Sequence, residues 1–346
     1  MCDIRGCIVR AASPRSTCGR PVSALRLVLL TVMLCCGFWS TADAQQISTG
    51  PNHTCTLVAY SHLMCFGAVQ HGRLLIKNPQ PVDQPFVHVA TAAGFVCAIT
   101  QIGNVRCWGL NPFLVRDDLV PESSTDIWTM VAVGNGFACH LHQNGTLHCR
   151  GLNDQRQCEP PLIYPDRVVM VSAGEAHACA VTAQAKLYCW GSNQQAQRDF
   201  THIAFMNKSD VVWVRCGSHS TCAITRYAQP ACWGSRLPPV DPSLRVVEIA
   251  PGSTMICAIL LDAKIVCWGD SVYGTSPIDI SPSSSFGVVR QLALGLDHAC
   301  AIQGNEALLR CWGSNRQGQT NVNPSEFFSV STPSPHHTSM PCFFSL

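Results

Sequence analysis

Residues 177–191 read HACAVTAQAKLYCWG, and the same arrangement recurs six more times along the 346-residue chain. Each copy has two cysteines, which are ten residues apart in six copies and eleven apart in the last. The pairs are Cys55 and Cys65, Cys97 and Cys107, Cys139 and Cys149, Cys179 and Cys189, Cys222 and Cys232, Cys257 and Cys267, and Cys300 and Cys311. The first cysteines of successive copies lie 35 to 43 residues apart. A regular period of this size is typical of an array of repeated structural units.

Glycine and tryptophan recur at fixed offsets from these cysteines. A glycine stands two residues after every second cysteine, and in five copies the residue between them is tryptophan. These tryptophans are Trp108, Trp190, Trp233, Trp268 and Trp312, and Phe66 and Arg150 replace them in the other two copies. A second glycine stands five residues before the first cysteine in six copies, and Ala92 takes its place in the other. Agreement at this many positions excludes a chance similarity between the copies.

Each copy predicts three short β-strands. A β-branched run such as residues 168–171 precedes the upstream glycine, and the first cysteine opens a second apolar run. A polar turn follows, and its Asn144-Gly145 step in the third copy is a strong hairpin signal. The second cysteine lies in the third strand, and a polar link leads to the next copy, to which it could add an outer strand. With 25 glycines and 22 prolines, the chain is predicted to be all-β.

The spacing within each cysteine pair favours a disulfide. Residues symmetric about a tight turn lie opposite each other on antiparallel strands, with Cβ atoms about 5 Å apart. A small local adjustment closes a disulfide over that distance. Zinc sites instead favour cysteines two to four residues apart in sets of four ligands. We therefore predict seven disulfides, one in each copy and each worth about 2–3 kcal/mol of stability, and we expect no metal and no cofactor.

The repeats resemble those of the regulator-of-chromosome-condensation superfamily, which combine an upstream glycine, a hairpin and a Cys-Trp-Gly-Ser-Asn segment. Residues 311–320, CWGSNRQGQT, carry the likeness best. The paired cysteines and short period are more specifically similar to the extracellular repeats of Crinkly-type plant receptor kinases, and the period is also similar to that of the bacterial β-lactamase inhibitor protein II. The resemblance covers about residues 46–325. It implies a seven-bladed β-propeller that serves as a binding scaffold.

The chain departs from these relatives in ways that limit what the resemblance implies. The founding member is nuclear and promotes nucleotide exchange on a small GTPase, but it needs neither an export signal nor a disulfide in each blade. The receptor kinases continue into a cysteine-rich module, a membrane span and a kinase, whereas this sequence ends at Leu346. We therefore expect a likeness to their ectodomain alone.

The N-terminus predicts export. Residues 24–39 form an apolar run that follows several arginines, and Ala42 and Ala44 supply a small-x-small cleavage pattern. We predict a signal peptide over residues 1–44, a propeller over 45–325, and a C-terminal strand or disordered tail over 326–346. Because the leader before the apolar run is long, an uncleaved signal anchor remains the alternative. No later stretch is apolar enough to span a bilayer.

The net charge and the sequence motifs argue against two classes of function, nucleic-acid binding and catalysis. The leader holds five arginines and two aspartates, which leaves 18 basic and 19 acidic residues in the rest, a net charge of about −1. A nearly neutral chain of this kind lacks the excess of basic residues that is typical of proteins that bind nucleic acid. The sequence also has no nucleophile elbow, no His-Glu-x-x-His and no phosphate-binding glycine loop. We therefore expect a protein that is not an enzyme and that does not bind nucleic acid.

Several single residues need a separate interpretation. Histidines two residues before a first cysteine (His53, His177 and His298) share their position with Phe95, Phe137, Ser220 and Met255, which favours packing over ligand binding. The tryptophans are predicted to be interblade core rather than a sugar platform. Three sequons predict glycosylation, at Asn52, Asn144 and Asn207. Three cysteines of the body stand outside the pairs, Cys158, Cys216 and Cys342, and an odd thiol could link two chains as a dimer.

Four functional hypotheses follow. The first is a secreted or extracellular module that binds a protein, peptide or glycan through one propeller face. The second is an ectodomain-only or truncated relative of a plant receptor-like kinase that acts in cell-surface signalling. The third is a secreted propeller enzyme, and the fourth is an intracellular exchange factor. The sequence favours the first.

Overall fold

The computed structural model describes residues 46–58, 62–67, 85–109, 127–163, 165–200, 203, 210–234, 237, 239–253, 255–269, 288–303 and 308–322. These ranges contain 21 β-strands and no helix. The predicted signal peptide and the predicted C-terminal segment, with Cys342 and Asn207, lie outside them. So do residues 327–330, which resemble the opening strand of another repeat.

Each repeat forms one three-stranded blade, here numbered 1 to 7, with an inner, a middle and an outer strand. The strands in chain order are β1 (Ile47–Thr49), β2 (His53–Val58), β3 (His62–Gly67); β4 (Phe86–Ala92), β5 (Phe95–Thr100), β6 (Val105–Gly109); β7 (Trp128–Val133), β8 (Phe137–His142), β9 (Leu147–Gly151); β10 (Val168–Ala173), β11 (His177–Thr182), β12 (Leu187–Gly191); β13 (Val211–Cys216), β14 (Ser220–Thr225), β15 (Pro230–Gly234); β16 (Val246–Pro251), β17 (Met255–Leu260), β18 (Ile265–Gly269); and β19 (Val289–Leu294), β20 (His298–Gln303), β21 (Leu308–Gly313).

The predicted all-β, seven-bladed propeller is confirmed. The seven sheets are separate and antiparallel, and each follows the order of its strands in the chain. Blade 7 packs directly against blade 1, because Ile47 belongs to the same buried cluster as Ile302 and Leu309. The Ile47 N–H also donates to Gln291 Oε1 at 3.0 Å. The ring therefore closes between whole blades, without a strand exchanged between the two ends of the chain in the described residues.

One disulfide joins the middle and outer strands of every blade, as predicted from the spacing. Cys97, for example, stands directly opposite Cys107 in the register of β5 and β6. The Cα atoms of each pair are 4.0 to 4.1 Å apart. This separation is close to that of non-hydrogen-bonded antiparallel pairs, where side chains approach most closely. The hairpin alone therefore brings the two cysteines together.

The core lies between blades. Middle strands such as β11 and β14 are buried along their whole length, because each is covered by the neighbouring blades on both faces. Trp190 and Trp233 are buried in these interfaces, and the indole N–H of each donates to the backbone carbonyl of a link residue, Gln157 and Gln197 respectively, at 2.9 Å. These two tryptophans are therefore core residues, whereas Arg150 at the same position in blade 3 is exposed.

The upstream glycines are required by a close approach between blades. A Cβ atom at Gly174 would lie 2.3 Å from the carbonyl oxygen of Gly217, and one at Gly134 would lie 2.5 Å from that of Gly174. Both distances are far below a normal contact, and the obstructing atom is backbone. The inner strands thus approach one another closely where each of them ends. We call this end of the propeller the glycine face, and its glycines are Gly50, Gly134, Gly174, Gly217, Gly252 and Gly295.

Gly174→Ala is expected to destabilise the propeller by about 1–3 kcal/mol, the usual cost of overpacking. Gly252→Ala is the matched control, because its Cβ would lie 3.0 Å from the nearest atom, the Gly295 carbonyl oxygen. Urea unfolding followed by tryptophan fluorescence measures both. Equal midpoints for the two variants would show that the close approach does not determine the choice of glycine.

Candidate functional site

The inner strands of all seven blades line a central channel. It encloses a cavity of about 420 Å³, a volume within the range of small-molecule sites. Two rings of inner-strand side chains surround it, most of which line the cavity, and the glycine face forms one of its mouths. Because each blade contributes one residue to each ring, the differences between blades decide the chemistry of the channel.

The first ring, here called the acceptor ring, connects most of the blades to the next one along the chain. Its members are Gln46, His88, Met130, Met170, Trp213, Glu248 and Gln291. Five of them accept a backbone N–H from the inner strand of the following blade, and the donors are Val89 (2.7 Å), Val171 (3.5 Å), Val214 (3.4 Å), Leu292 (3.2 Å) and Ile47 (3.0 Å). These bonds satisfy edge N–H groups that would otherwise lack a partner at the channel wall.

His88 and Trp213 are the two exceptions in the acceptor ring. Their buried His88 Nδ1 and Trp213 Nε1 atoms have no hydrogen-bond partner among the described residues. An indole nitrogen only donates, so Trp213 cannot take the acceptor role at all. Burial, and secondarily the charge of Arg215, lowers the pKa of His88 to about 4. His88 is therefore neutral at physiological pH.

The second ring is made of small residues with one exception. Its members are Ser48, Ala90, Ala132, Ser172, Arg215, Ala250 and Ala293. The two serines repeat the bonding of the acceptor ring: Ser48 Oγ accepts from Thr91 N at 3.0 Å and Ser172 Oγ from Cys216 N at 2.9 Å. Arg215 is the only large side chain in this ring. Among the described residues that line the channel, it is also the only arginine or lysine.

Arg215 is held in place from three sides. Its Nη1 donates to the Leu292 carbonyl oxygen at 2.9 Å, and its Nη2 lies 3.2 Å from Glu248 Oε1. Its guanidinium carbon lies 5.8 Å from the centre of the Trp213 ring, within cation–π range. The side chain of Glu248 is 7% exposed and that of Arg215 is 25% exposed. Burial raises the pKa of Glu248, although the charge of Arg215 acts in the opposite direction.

Sequence reasoning did not single out Arg215, Glu248 or Trp213. Each lies in a β-branched or apolar run that we interpreted only as an inner strand. The signal that could have found Arg215 is an alignment of the inner strands themselves, in which one arginine stands among serines and alanines. An alignment anchored on the cysteines does not show that the residue at position 215 is unusual.

The histidines before the first cysteines lie in packing positions, as predicted. His177 Nε2 is 3.0 Å from Thr221 Oγ1 in the next blade, and His298 Nε2 is 2.9 Å from Thr54 Oγ1 across the junction of blades 7 and 1. His53 is also buried. Burial lowers the pKa of all three to about 4. His177 and His298 therefore join neighbouring blades as neutral groups.

Cys216 is a free thiol between two blades. Its Sγ donates to the Ser172 carbonyl oxygen at 3.4 Å, and burial raises its pKa to about 12. It lies close to His177 and Cys179. Cys179 is in a disulfide, however, and a disulfide sulfur has no thiolate to offer a metal. This group therefore does not form a metal site.

Cys158 is the other free thiol in the described part of the chain. It is half-buried in the link after blade 3, where its Sγ donates to the Leu152 carbonyl oxygen at 3.2 Å. Burial, and then the charge of Glu159, raises its pKa to about 11.

The two sequons that the structure describes are at exposed asparagines. Asn144 lies at a hairpin tip, where its Oδ1 accepts hydrogen bonds from the backbone N–H and the hydroxyl of Thr146 at 2.9 and 2.7 Å. Asn52 is exposed before β2. Glycosylation of these residues stays a prediction.

Comparisons with known proteins agree with this architecture. The sequence model of the regulator of chromosome condensation (RCC1) repeat matches residues 168–197. No curated protein sequence matches the chain. No helix in the described residues is long and apolar enough to cross a membrane.

Solved propellers share the fold at low sequence identity. The CRINKLY WD40 ectodomain of the Arabidopsis thaliana receptor kinase ACR4 is 21% identical over 81% of this chain and 98% of its own, with a TM-score of 0.61. The entire ectodomain of the Physcomitrella patens receptor kinase CR4 is 21% identical over 79% of this chain and 74% of its own, with a TM-score of 0.59. Human WBSCR16 is 15% identical over 74% and 86%, with a TM-score of 0.59.

The resemblance predicted from the repeats is therefore confirmed. The chain is a disulfide-stapled, seven-bladed β-propeller that contains a regulator-of-chromosome-condensation repeat and is similar in fold to the ectodomains of Crinkly receptor kinases.

Proposed function

We propose that this chain is an extracellular binding module that recognises a protein, peptide or glycan and catalyses no reaction. The observation that most strongly supports an extracellular location is the disulfide within every blade. Disulfides form and persist in oxidising compartments and are rare in the cytosol. The shared fold with two receptor-kinase ectodomains supports the same location and a role in cell-surface recognition. The signal peptide and the glycans belong to this proposal as predictions.

The channel is the surface best suited to recognition. All seven blades contribute residues to it, so differences between copies of the repeat produce a specific combination of groups there. The residues that line it include Arg215, the indole of Trp213 and the neutral imidazole of His88, together with Glu175, Asn135, glutamines, methionines and small residues. This set supplies hydrogen-bond donors and apolar walls, which suits binding.

Expression in a eukaryotic secretory host tests the location. We expect the protein in the medium, starting at Gln45, with all seven within-blade disulfides and a glycan on Asn144. Non-reducing peptide mass mapping measures the start, the linkages and the glycan together, and Asn144→Gln is the control that should lose only the glycan. A retained leader with the fourteen paired cysteines free would instead indicate an intracellular protein.

A further inference from the structure

We propose that the central channel binds a carboxylate and that Arg215 is the residue that holds it. The inference rests on the proposed binding function and names its ligand chemistry. The ligand is a singly charged carboxylate with a small apolar body, either a free organic acid or the C-terminus of a peptide that enters the channel.

The first argument is the way in which Arg215 is presented. Arg215 Nη1 donates to the Leu292 carbonyl oxygen, and Nη2 forms an ion pair with Glu248 Oε1, whereas a guanidinium group has five N–H donors in a planar fork. A quarter of the side chain is exposed, and Arg215 lines the cavity. Donors therefore remain available on the side of the guanidinium that faces the channel.

The second argument is the position of Glu248. It is almost fully buried and is not one of the residues that line the cavity. Its Oε1 forms the ion pair with Arg215 but accepts no hydrogen bond from the described residues, and its Oε2 accepts the Leu292 N–H at 3.2 Å. Glu248 therefore orients Arg215 from behind, in the manner of a positioning residue.

The third argument is the wall around the guanidinium. Five of the other six positions in its ring line the cavity, and all five are serine or alanine, namely Ser48, Ala90, Ala132, Ser172 and Ala293. Small side chains leave room beside the charge. Glycines 50, 174, 217, 252 and 295 also line the cavity, so that its mouth on the glycine face carries no side chain at these positions. A ligand that approaches Arg215 from that face passes the residues that follow these glycines, Glu175 among them.

A carboxylate fits these features better than a phosphate. The planar fork of an arginine matches the two oxygens of a carboxylate. A phosphate carries up to two charges and would face one cation, Arg215, in a wall that also holds the carboxylate of Glu175. His88 is neutral and adds no second positive charge. The aliphatic wall suits the apolar body of an organic acid or a peptide side chain.

Isothermal titration calorimetry with the intact, disulfide-bonded protein tests the proposal. The probes are hexanoate and its uncharged amide, hexanamide, which differ only in the group that would meet Arg215. We expect hexanoate to bind at least ten-fold more tightly than hexanamide. A second pair, the tripeptide Gly-Gly-Leu as free acid and as C-terminal amide, tests a peptide source: tighter binding of the peptide acid than of hexanoate would assign the ligand as a peptide, and the reverse a small acid.

Two variants remove the site in different ways. Arg215→Met combined with Glu248→Met removes the charge without leaving a buried carboxylate unpaired, which by itself could unfold the protein. Ala90→Leu keeps the pair and narrows the same cavity from blade 2. We expect each to weaken hexanoate binding at least ten-fold. Arg106→Met, an exposed arginine on the outer strand of blade 2, is the control and should bind as the wild type does.

Two results would overturn the proposal: no heat of binding for any of the carboxylates, or equal affinity for hexanoate and hexanamide. Unchanged binding in both channel variants would also reject it. None of these results bears on secretion or on the disulfides, which are measured separately. Failure of the channel site is therefore distinguishable from failure of the proposed extracellular function.

Discussion

Complete reduction of the seven disulfides is expected to unfold the propeller at neutral pH. Each closes a loop of about ten residues and contributes about 2–3 kcal/mol. The sum over seven blades is larger than the stability of most domains, which is about 5–15 kcal/mol. The first cysteine of every pair is buried at the centre of an interblade cluster, so that an opened hairpin would also lose packing against its neighbours.

Circular dichroism and tryptophan fluorescence, recorded before and after reduction and alkylation, measure this effect. Removal of one disulfide by a paired substitution, Cys222→Ala with Cys232→Ala, should lower the free energy of unfolding by about 2–3 kcal/mol and leave a folded protein. Cys158→Ser is the control, because this thiol is in no disulfide. A reduced and alkylated chain that still unfolds cooperatively in urea at the original midpoint would contradict the expectation.

Acidification from pH 6.5 to pH 4 is expected to destabilise the propeller strongly. Burial lowers the pKa of five histidines from 6.5 to about 4, namely His53, His88, His140, His177 and His298. Between these two pH values the unfolded chain binds protons at these imidazoles and the folded chain does not. Protons therefore favour unfolding, and stability that is fully present above pH 6.5 is lost as the pH falls towards 4.

The size of the acid effect follows from the pKa shifts. A shift from 6.5 to about 4 corresponds to about 3 kcal/mol for each imidazole. Summed over five such groups, the lost stability exceeds the free energy of unfolding of a typical domain. We therefore expect the urea midpoint to fall steeply with pH in this window and the protein to unfold near its lower end.

His177→Phe is the matched variant for the acid effect. Phenylalanine occupies the same position in blades 2 and 3, as Phe95 and Phe137, so the site tolerates it. The variant should lose less stability than the wild type between pH 6.5 and pH 4. Arg106→Met, at an exposed arginine on the outer strand of blade 2, should behave as the wild type does. Parallel pH profiles for wild type and His177→Phe would show that His177 does not take part in the transition.

Much of the fold could be predicted from the repeats. The ten-residue spacing of cysteines such as Cys97 and Cys107 predicted both the hairpin and the disulfide, because the two cysteines of a hairpin are close in sequence and their meeting needs no distant contact. The β-branched runs predicted the inner strands for the same reason. The interpretation of His177 as a packing residue also came from the comparison of copies, since a position that accepts unrelated side chains is rarely a binding group.

The candidate site could not be predicted in this way. Arg215, Glu248 and Leu292 belong to blades 5, 6 and 7, and their contacts join residues 33 to 77 positions apart in the chain. Nothing in the local sequence of any one blade indicates that they meet. The role of the acceptor ring was equally hidden, because Gln46 and Met170 share no residue type and are equivalent only in their position on the channel wall.

The sequence by itself determined the number of blades, their strands and their internal disulfides, because each depends on residues within about fifteen positions of one another. Only the tertiary structure decided which face of each inner strand points into the channel and which single arginine stands among the small residues there. When the ring of blades closes, the edges of the seven inner strands together form the wall of the channel. The groups on that wall are neighbours because seven blades complete the circle, and no local pattern records that geometry.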